Sequence, residues 1–121
     1  MEPTEKKAPV YRIKHIGINN PDDETATAVA TQLSALFGLP FEENSARHIF
    51  VGSLFEVKKT MTRGKYGHIA MQTDDVEAAM EDLRSKGVTF DERSYRYDEN
   101  GHIIYAYLNT EIAGFGFHLT L

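Results

Sequence analysis

The sequence predicts an α+β domain built from two copies of one βαβββ unit. Three observations carry the prediction. A pattern that opens at His15-Ile16-Gly17-Ile18 and closes at Phe55-Glu56-Val57 returns, in the same order, from His68-Ile69-Ala70-Met71 to Phe117-His118-Leu119. Each copy carries Gly-x-x-Phe-acidic after its middle stretch, at Gly38 to Glu42 and at Gly87 to Asp91. Within each copy the apolar period switches from two residues to 3.6 and back. A repeat at this scale means two supersecondary units sharing a core.

The first copy opens at residues 11–19, where Ile13, His15 and Gly17 alternate with Lys14, Ile16 and Ile18, the period of a strand. Asn20-Pro21-Asp22 breaks it. From residue 23, Ala26, Val29, Leu33, Leu36 and Phe37 fall on one helical face. Gly38 and Pro40 end that helix. Residues 41–43, 47–51 and 54–60 read as short strands.

In the second copy, residues 67–73 read as a strand. Asp74 is expected to cap the next helix, with Glu77 three residues on closing a capping box. Val76, Ala79, Met80 and Leu83 make its apolar stripe. Lys86 is expected in its last turn, with Gly87 ending it. Residues 89–97, 103–109 and 114–121 read as strands, and Asp98-Glu99-Asn100-Gly101 supplies a hairpin turn. The expected organisation is a flexible tail at 1–9 and one domain at 10–121, with module one at 10–62 and module two at 63–121.

The chain has 121 residues, enough for one hydrophobic core. Lys plus Arg number 13 against 18 Asp plus Glu, a formal charge of −5. That balance opposes non-specific binding to nucleic acid. The absence of cysteine excludes disulfides, zinc thiolates and thiol catalysis. No apolar run approaches the roughly 20 residues of a membrane span, and residues 1–9 lack the apolar centre of a signal peptide. A cytoplasmic location is expected.

Strand alternation then sorts the polar residues. Phe55 and Val57 face the core, which sends Glu56 and Lys58 to the other side. Phe115, Phe117, Leu119 and Leu121 form an apolar row, leaving Gly116, His118 and Thr120 opposite. Ile16, Ile18, Ile69 and Met71 take the core side. His15, Glu56, His68 and His118 are therefore expected to project from the uncovered face, provided no bulge intervenes. One such residue alone reads as a solvated polar group; four at equivalent positions of a repeat read as a metal site.

Lys14-His15-Ile16-Gly17-Ile18, Leu54-Phe55-Glu56-Val57, Tyr66-Gly67-His68-Ile69-Ala70-Met71 and Gly116-Phe117-His118-Leu119 resemble the vicinal oxygen chelate superfamily. That superfamily includes glyoxalase I, fosfomycin-resistance enzymes, methylmalonyl-CoA epimerase, extradiol dioxygenases and bleomycin-binding proteins. The resemblance covers residues 11–121. It implies two βαβββ modules whose curved mixed sheets form a cup around a divalent metal, with the ligands at His15, Glu56, His68 and His118. It also implies a homodimer. More narrowly, Ala35-Leu36-Phe37-Gly38, residues 87–92 and residues 114–119 resemble a small module associated with bacterial keto-hydroxyglutarate/keto-deoxy-phosphogluconate aldolases, which implies association with such an aldolase. Glyoxalase- and epimerase-type members usually place Glu where this chain has His118.

Three imidazoles and a carboxylate suit Zn, Ni, Co, Mn or Fe. Such an ion would act as a Lewis acid on a small oxygenated, keto- or hydroxy-acid-like substrate. Glu56 and His118 are the candidate catalytic residues, because a proton shuttle is also needed. Lys58, Tyr105 and Tyr107 are the candidate substrate-binding residues. His48 is a further cup-facing candidate, His102 borders a turn, and Arg63 and Lys65 read as a surface loop, with an anion clamp as the lesser alternative. The expected function is that of a glyoxalase-type lyase or isomerase. The alternative is a non-catalytic metal- or ligand-binding module, accessory to a keto-acid aldolase.

Overall fold

The β-α-β-β-β order occurs twice in the computed structural model, which describes residues 8–121. The first copy comprises β1 (Arg12–Ile18), α1 (Asp23–Phe37), β2 (Phe41–Asn44), β3 (His48–Val51) and β4 (Phe55–Lys58). The second comprises β5 (Gly67–Gln72), α2 (Val76–Arg84), β6 (Phe90–Tyr97), β7 (Ile103–Leu108) and β8 (Phe115–Thr120). The expected tail lies, up to residue 7, outside the described residues.

All eight strands join in one mixed sheet, ordered β2-β3-β4-β1-β5-β8-β7-β6. Each module runs outward from its first strand in the same way. The two first strands, β1 and β5, pair antiparallel and join the modules. Each also pairs in parallel with the last strand of its own copy. The sheet therefore closes the repeat within one chain.

Each helix covers its own module. Ala26 and Ala30 of α1 pack on Ile49, Val51 and Val57. Val76, Ala79 and Met80 of α2 pack on Phe90, Ala106 and Leu119. Because side chains alternate along a strand, Val57, Ala106 and Leu119 in these cores send Glu56, Tyr107 and His118 to the opposite face. A helix of 9 residues is too short to persist alone, so α2 depends on this packing. Among the described residues, no helix is long and apolar enough to cross a membrane.

Two elements depart from expectation, α2 at its ends and β1 in its register. The N-cap of α2 is Asp75, whose carboxylate accepts from the Ala78 N–H at 3.0 Å. Asp74 instead accepts from Arg12 at 3.1 Å. Glu77 closes no capping box: its carboxylate accepts from the Ile103 N–H at 3.0 Å and lies 3.1 Å from His102 Nδ1, tying α2 to the start of β7. The helix ends at Arg84 rather than at Lys86, which pairs with Asp82 from beyond the end.

The second correction concerns β1. Its register with β5 shifts between Ile13 and His15, so Ile13 opposes Met71 while His15 opposes Ala70. The irregularity places Ile13 and His15 on opposite faces, and Lys14 lines the cavity on the His15 side.

The cap assignment yields a stability prediction. Asp75→Ala should cost about 1 kcal/mol, the usual value of an N-cap. Asp74→Ala, at an exposed surface pair, should cost less than about 0.5 kcal/mol. Urea denaturation of both variants checks the difference, and equal losses would return the cap to Asp74.

Candidate metal centre

The open face of the sheet arranges large polar side chains against small ones. Phe50, Glu56, Gly17, His68 and Gly116 lie side by side across five strands. In the next row, His15, Ala70, His118 and Tyr107 lie side by side. Each imidazole thus stands beside Gly17, Ala70 or Gly116. At Gly17 the fit is strict, because a Cβ there would fall within the His68 ring.

This packing draws the donors together. His68 Nε2 is 2.9 Å from Glu56 Oε1 and 3.1 Å from His15 Nε2, and His15 Nε2 is 3.4 Å from Glu56 Oε1. Ligands at about 2.1 Å from an ion, at right angles, are about 3.0 Å apart, so this triangle has the size of one face of a metal's coordination shell. His15, His68 and His118 each offer a nitrogen within 4.8 Å of the others, and the three histidines could hold a metal ion. The donor set therefore fits the borderline first-row ions expected for imidazole and carboxylate.

The protonation states also fit. Burial lowers the His118 imidazole to about 3, and lowers His15 against the opposing pull of Glu56. Burial works against ionisation of Glu56, but the His68 hydrogen bond and the Lys58 charge outweigh it and hold the carboxyl at about 2. Neutral imidazole and ionised carboxylate are the forms that bind metals. His118 Nδ1 donates to the Leu119 carbonyl at 3.3 Å. A carbonyl only accepts, so the proton is on Nδ1 and the lone pair of the neutral ring is on Nε2.

The cavity over this cluster measures about 710 Å³. Lys58, Tyr105 and Tyr107 line it together with His15, Glu56, His68 and His118, so every sequence-predicted site residue falls in one place. Lys58 Nζ is 3.7 Å from Glu56 Oε2. The Tyr105 ring stacks on His118 with centroids 4.2 Å apart, and Tyr107 lies 4.9 Å from the same ring. His48 also faces the cup. Its Nε2 is 2.9 Å from Glu43, while its buried Nδ1 approaches Glu56 Oε2 to 3.0 Å without a hydrogen bond's alignment.

Lys14, Arg63 and Arg96 also line the cup, which strand alternation alone does not show. Lys14 enters the cup through the β1 irregularity. Arg63 is no free surface loop: it pairs with Asp91 at 2.9 Å, donates to the Leu108 carbonyl and lies over Tyr107. Arg96 lies over Tyr105, 4.0 Å from the ring centroid. The register of β6 shifts on both sides of Arg96, so simple alternation could not assign its face. His102 is exposed, as its turn position implied, and pairs with Glu77.

No protein-family model and no curated protein matches the sequence. Solved structures do match. A variant of Streptomyces coelicolor methylmalonyl-CoA epimerase, in complex with 2-nitronate-propionyl-CoA, is 22% identical over 89% of this chain and 92% of that one, with a TM-score of 0.60. Methylmalonyl-CoA epimerase from Mycobacterium tuberculosis is 15% identical over 88% of this chain and 85% of its own, with a TM-score of 0.59. Homoprotocatechuate 2,3-dioxygenase from Arthrobacter globiformis is 13% identical over 90% of this chain but 35% of its own, with a TM-score of 0.57. The chain thus shares its fold with these epimerases and with the matching part of the dioxygenase. The likeness to an aldolase-associated module finds no counterpart among these three.

The buried histidines predict a pH dependence of stability. His118 takes up a proton near its ordinary 6.5 when unfolded, but only near 3 when folded. The unfolded state then binds more protons, so stability falls as pH drops below 6.5; His15 adds to this. The Glu56 contribution is present above 4.5 and is lost only as pH falls through about 2. The exposed His102–Glu77 pair acts oppositely, its stabilisation being present below 6.5 and lost as pH rises through the raised His102 value, but solvent screens it. The urea midpoint of metal-free protein should fall steadily from pH 7 to pH 4.5, less steeply in His118→Asn. A flat profile, or an unchanged slope in the variant, would contradict the burial argument.

Proposed function

We propose that this chain is a divalent-metal-dependent enzyme of the vicinal oxygen chelate superfamily, a glyoxalase-type lyase or isomerase acting on a small keto- or hydroxy-acid-like substrate. One observation carries the reading: three histidines that could hold a metal ion converge from three strands, and Glu56 from a fourth lies 2.9 Å from His68 and 3.4 Å from His15. In this reading His15, Glu56, His68 and His118 hold the ion. When bound, it would supply Lewis acidity to the substrate's paired oxygens. The epimerases that share the fold favour isomerisation by proton transfer within the class.

The chain's own residues supply the rest. Glu56 uses its two oxygens differently: Oε1 faces His15 and His68, and Oε2 faces His48 and Lys58. Glu43 can only accept, so His48 Nε2 donates to it, and the His48 ring stands beside Oε2. A proton taken from the substrate can pass to Glu56 Oε2. Lys58 stabilises the negative charge nearby. Tyr105 and Tyr107 wall the substrate against His118, and burial raises both phenols, so they stay protonated as donors.

A second reading has its own observation. His118 replaces the usual carboxylate, and Glu56 at about 2 is a weak base before a metal is bound. A non-catalytic metal- or ligand-binding module, including an accessory to a keto-acid aldolase, would need nothing more. The dimer expected by resemblance is not required for either reading, because one chain contributes the whole cluster.

Two measurements test the proposal. Elemental analysis of protein loaded with Zn, Ni, Co, Mn or Fe should find stoichiometric metal in the wild type and a loss of about tenfold or more in affinity for His68→Ala; unchanged stoichiometry and affinity would sink the site. Deuterium exchange and turnover should then be followed by NMR on the methylglyoxal–glutathione adduct and on 2-oxo and 2-hydroxy acids. Turnover that disappears in Glu56→Gln supports the enzyme, whereas metal binding with no exchange across this panel favours the binding module.

A further inference from the structure

We propose that the cup recognises a substrate with a second negative charge, a carboxylate or phosphate oxyanion, and that Arg96 binds it. The inference rests on the functional reading above for the place of the reacting oxygens, but the oxyanion site can be tested without metal.

The charge lining the cavity is opposite to that of the chain. Overall, 18 acidic residues face 13 Lys and Arg. Within the cavity, Lys14, Arg47, Lys58, Arg63 and Arg96 meet only Glu43 and Glu56. A cleft lined by one sign of charge concentrates the opposite ion from solution. Three of these cations are engaged: Lys58 beside Glu56, Arg63 with Asp91, and Lys14 with the main-chain oxygen of Leu121. Among the described residues, Arg47 and Arg96 pair with no carboxylate.

Arg96 differs from Arg47 in being fixed. An exposed arginine on an edge strand such as β6 is ordinary, and commonly serves only to discourage strand pairing. Here the guanidinium lies over the Tyr105 ring at 4.0 Å, and the same ring stacks on His118 at 4.2 Å. The cation, the phenol and the imidazole form one column that leads from the rim of the cup to the donor cluster. Stacking holds the planar fork in place while its N–H groups stay available, the arrangement best suited to a carboxylate or phosphate. A ligand of a few carbons can span from the cluster past Tyr105 to this fork. Arg63 over Tyr107 repeats the arrangement, but its donors are already taken by Asp91 and Leu108.

Metal-free, full-length protein would be titrated by NMR at pH 7.5 with succinate, 3-phosphonopropionate and uncharged succinamide. The two anions should bind and succinamide should not. The tighter anion identifies whether carboxylate or phosphate is preferred. Arg96→Gln should weaken anion binding by about tenfold or more, the usual effect of losing a charged hydrogen bond, with Arg96→Lys recovering part of it. Lys86→Gln, an equal charge change on the helical face, should leave it unchanged. The proposal is overturned if neither anion binds the wild type, if succinamide binds as well as succinate, if Arg96→Gln binds normally, or if Lys86→Gln loses as much. Metal uptake by the same samples separates the two claims. Anion binding without metal uptake sinks only the metal reading, and metal uptake without Arg96-dependent anion binding sinks only this one.

Discussion

The antiparallel ladder between β1 and β5 is the constraint on which the rest depends. It is where the two modules meet, and it sets Gly17 directly opposite His68 and Ala70 opposite His15. The contact is close enough to need glycine twice. Gly67 has a φ of 147° and its missing Cβ leaves room for the Gly17 carbonyl, while Gly17 leaves room for the His68 ring. A slip of one residue in this ladder would turn the imidazoles towards the helices and the isoleucines towards the cup. The parallel pairings with β4 and β8 then carry Glu56 and His118 into the same neighbourhood.

Burial does a second job there. Crowding three imidazoles and a carboxylate onto one sheet face would be costly if the imidazoles were charged, and desolvation keeps His15 and His118 neutral. In the metal-free protein, one hydrogen on His68 Nε2 can serve both Glu56 Oε1 and His15 Nε2, each at hydrogen-bonding or near-contact distance. The cluster is thus held together through one donor on His68. Its surroundings are polar rather than oily, and five cations line a cup in a chain whose net charge is −5.

Much of this was legible in the sequence, because the repeat and strand alternation are both strict where the donors lie. Phe55 and Val57 announce the face of Glu56, and Leu119 announces that of His118. What failed to show was local irregularity. Nothing in Arg12-Ile13-Lys14-His15 marks a bulge, yet the register shift there moves Lys14 into the cup. The shifts in β6 hid Arg96 in the same way. Asp74 and Asp75 are both good caps, and the sequence does not separate them; in the fold Asp75 caps α2 while Asp74 pairs with Arg12. The large–small alternation of histidine against Gly17, Ala70 and Gly116 runs across strands, so it appears only once the register is known.

That alternation is what brings the donors together, and one substitution tests it. Gly17→Ala adds a single methyl group beneath the His68 ring and touches no proposed ligand chemically. Calorimetric titration of a divalent ion into wild type and variant, with circular dichroism to verify the fold, should show one ion per wild-type chain. The folded variant should bind at least about tenfold more weakly, since one misplaced ligand costs that much. Equal affinity in a folded Gly17→Ala protein, or no uptake by the wild type, would contradict the account.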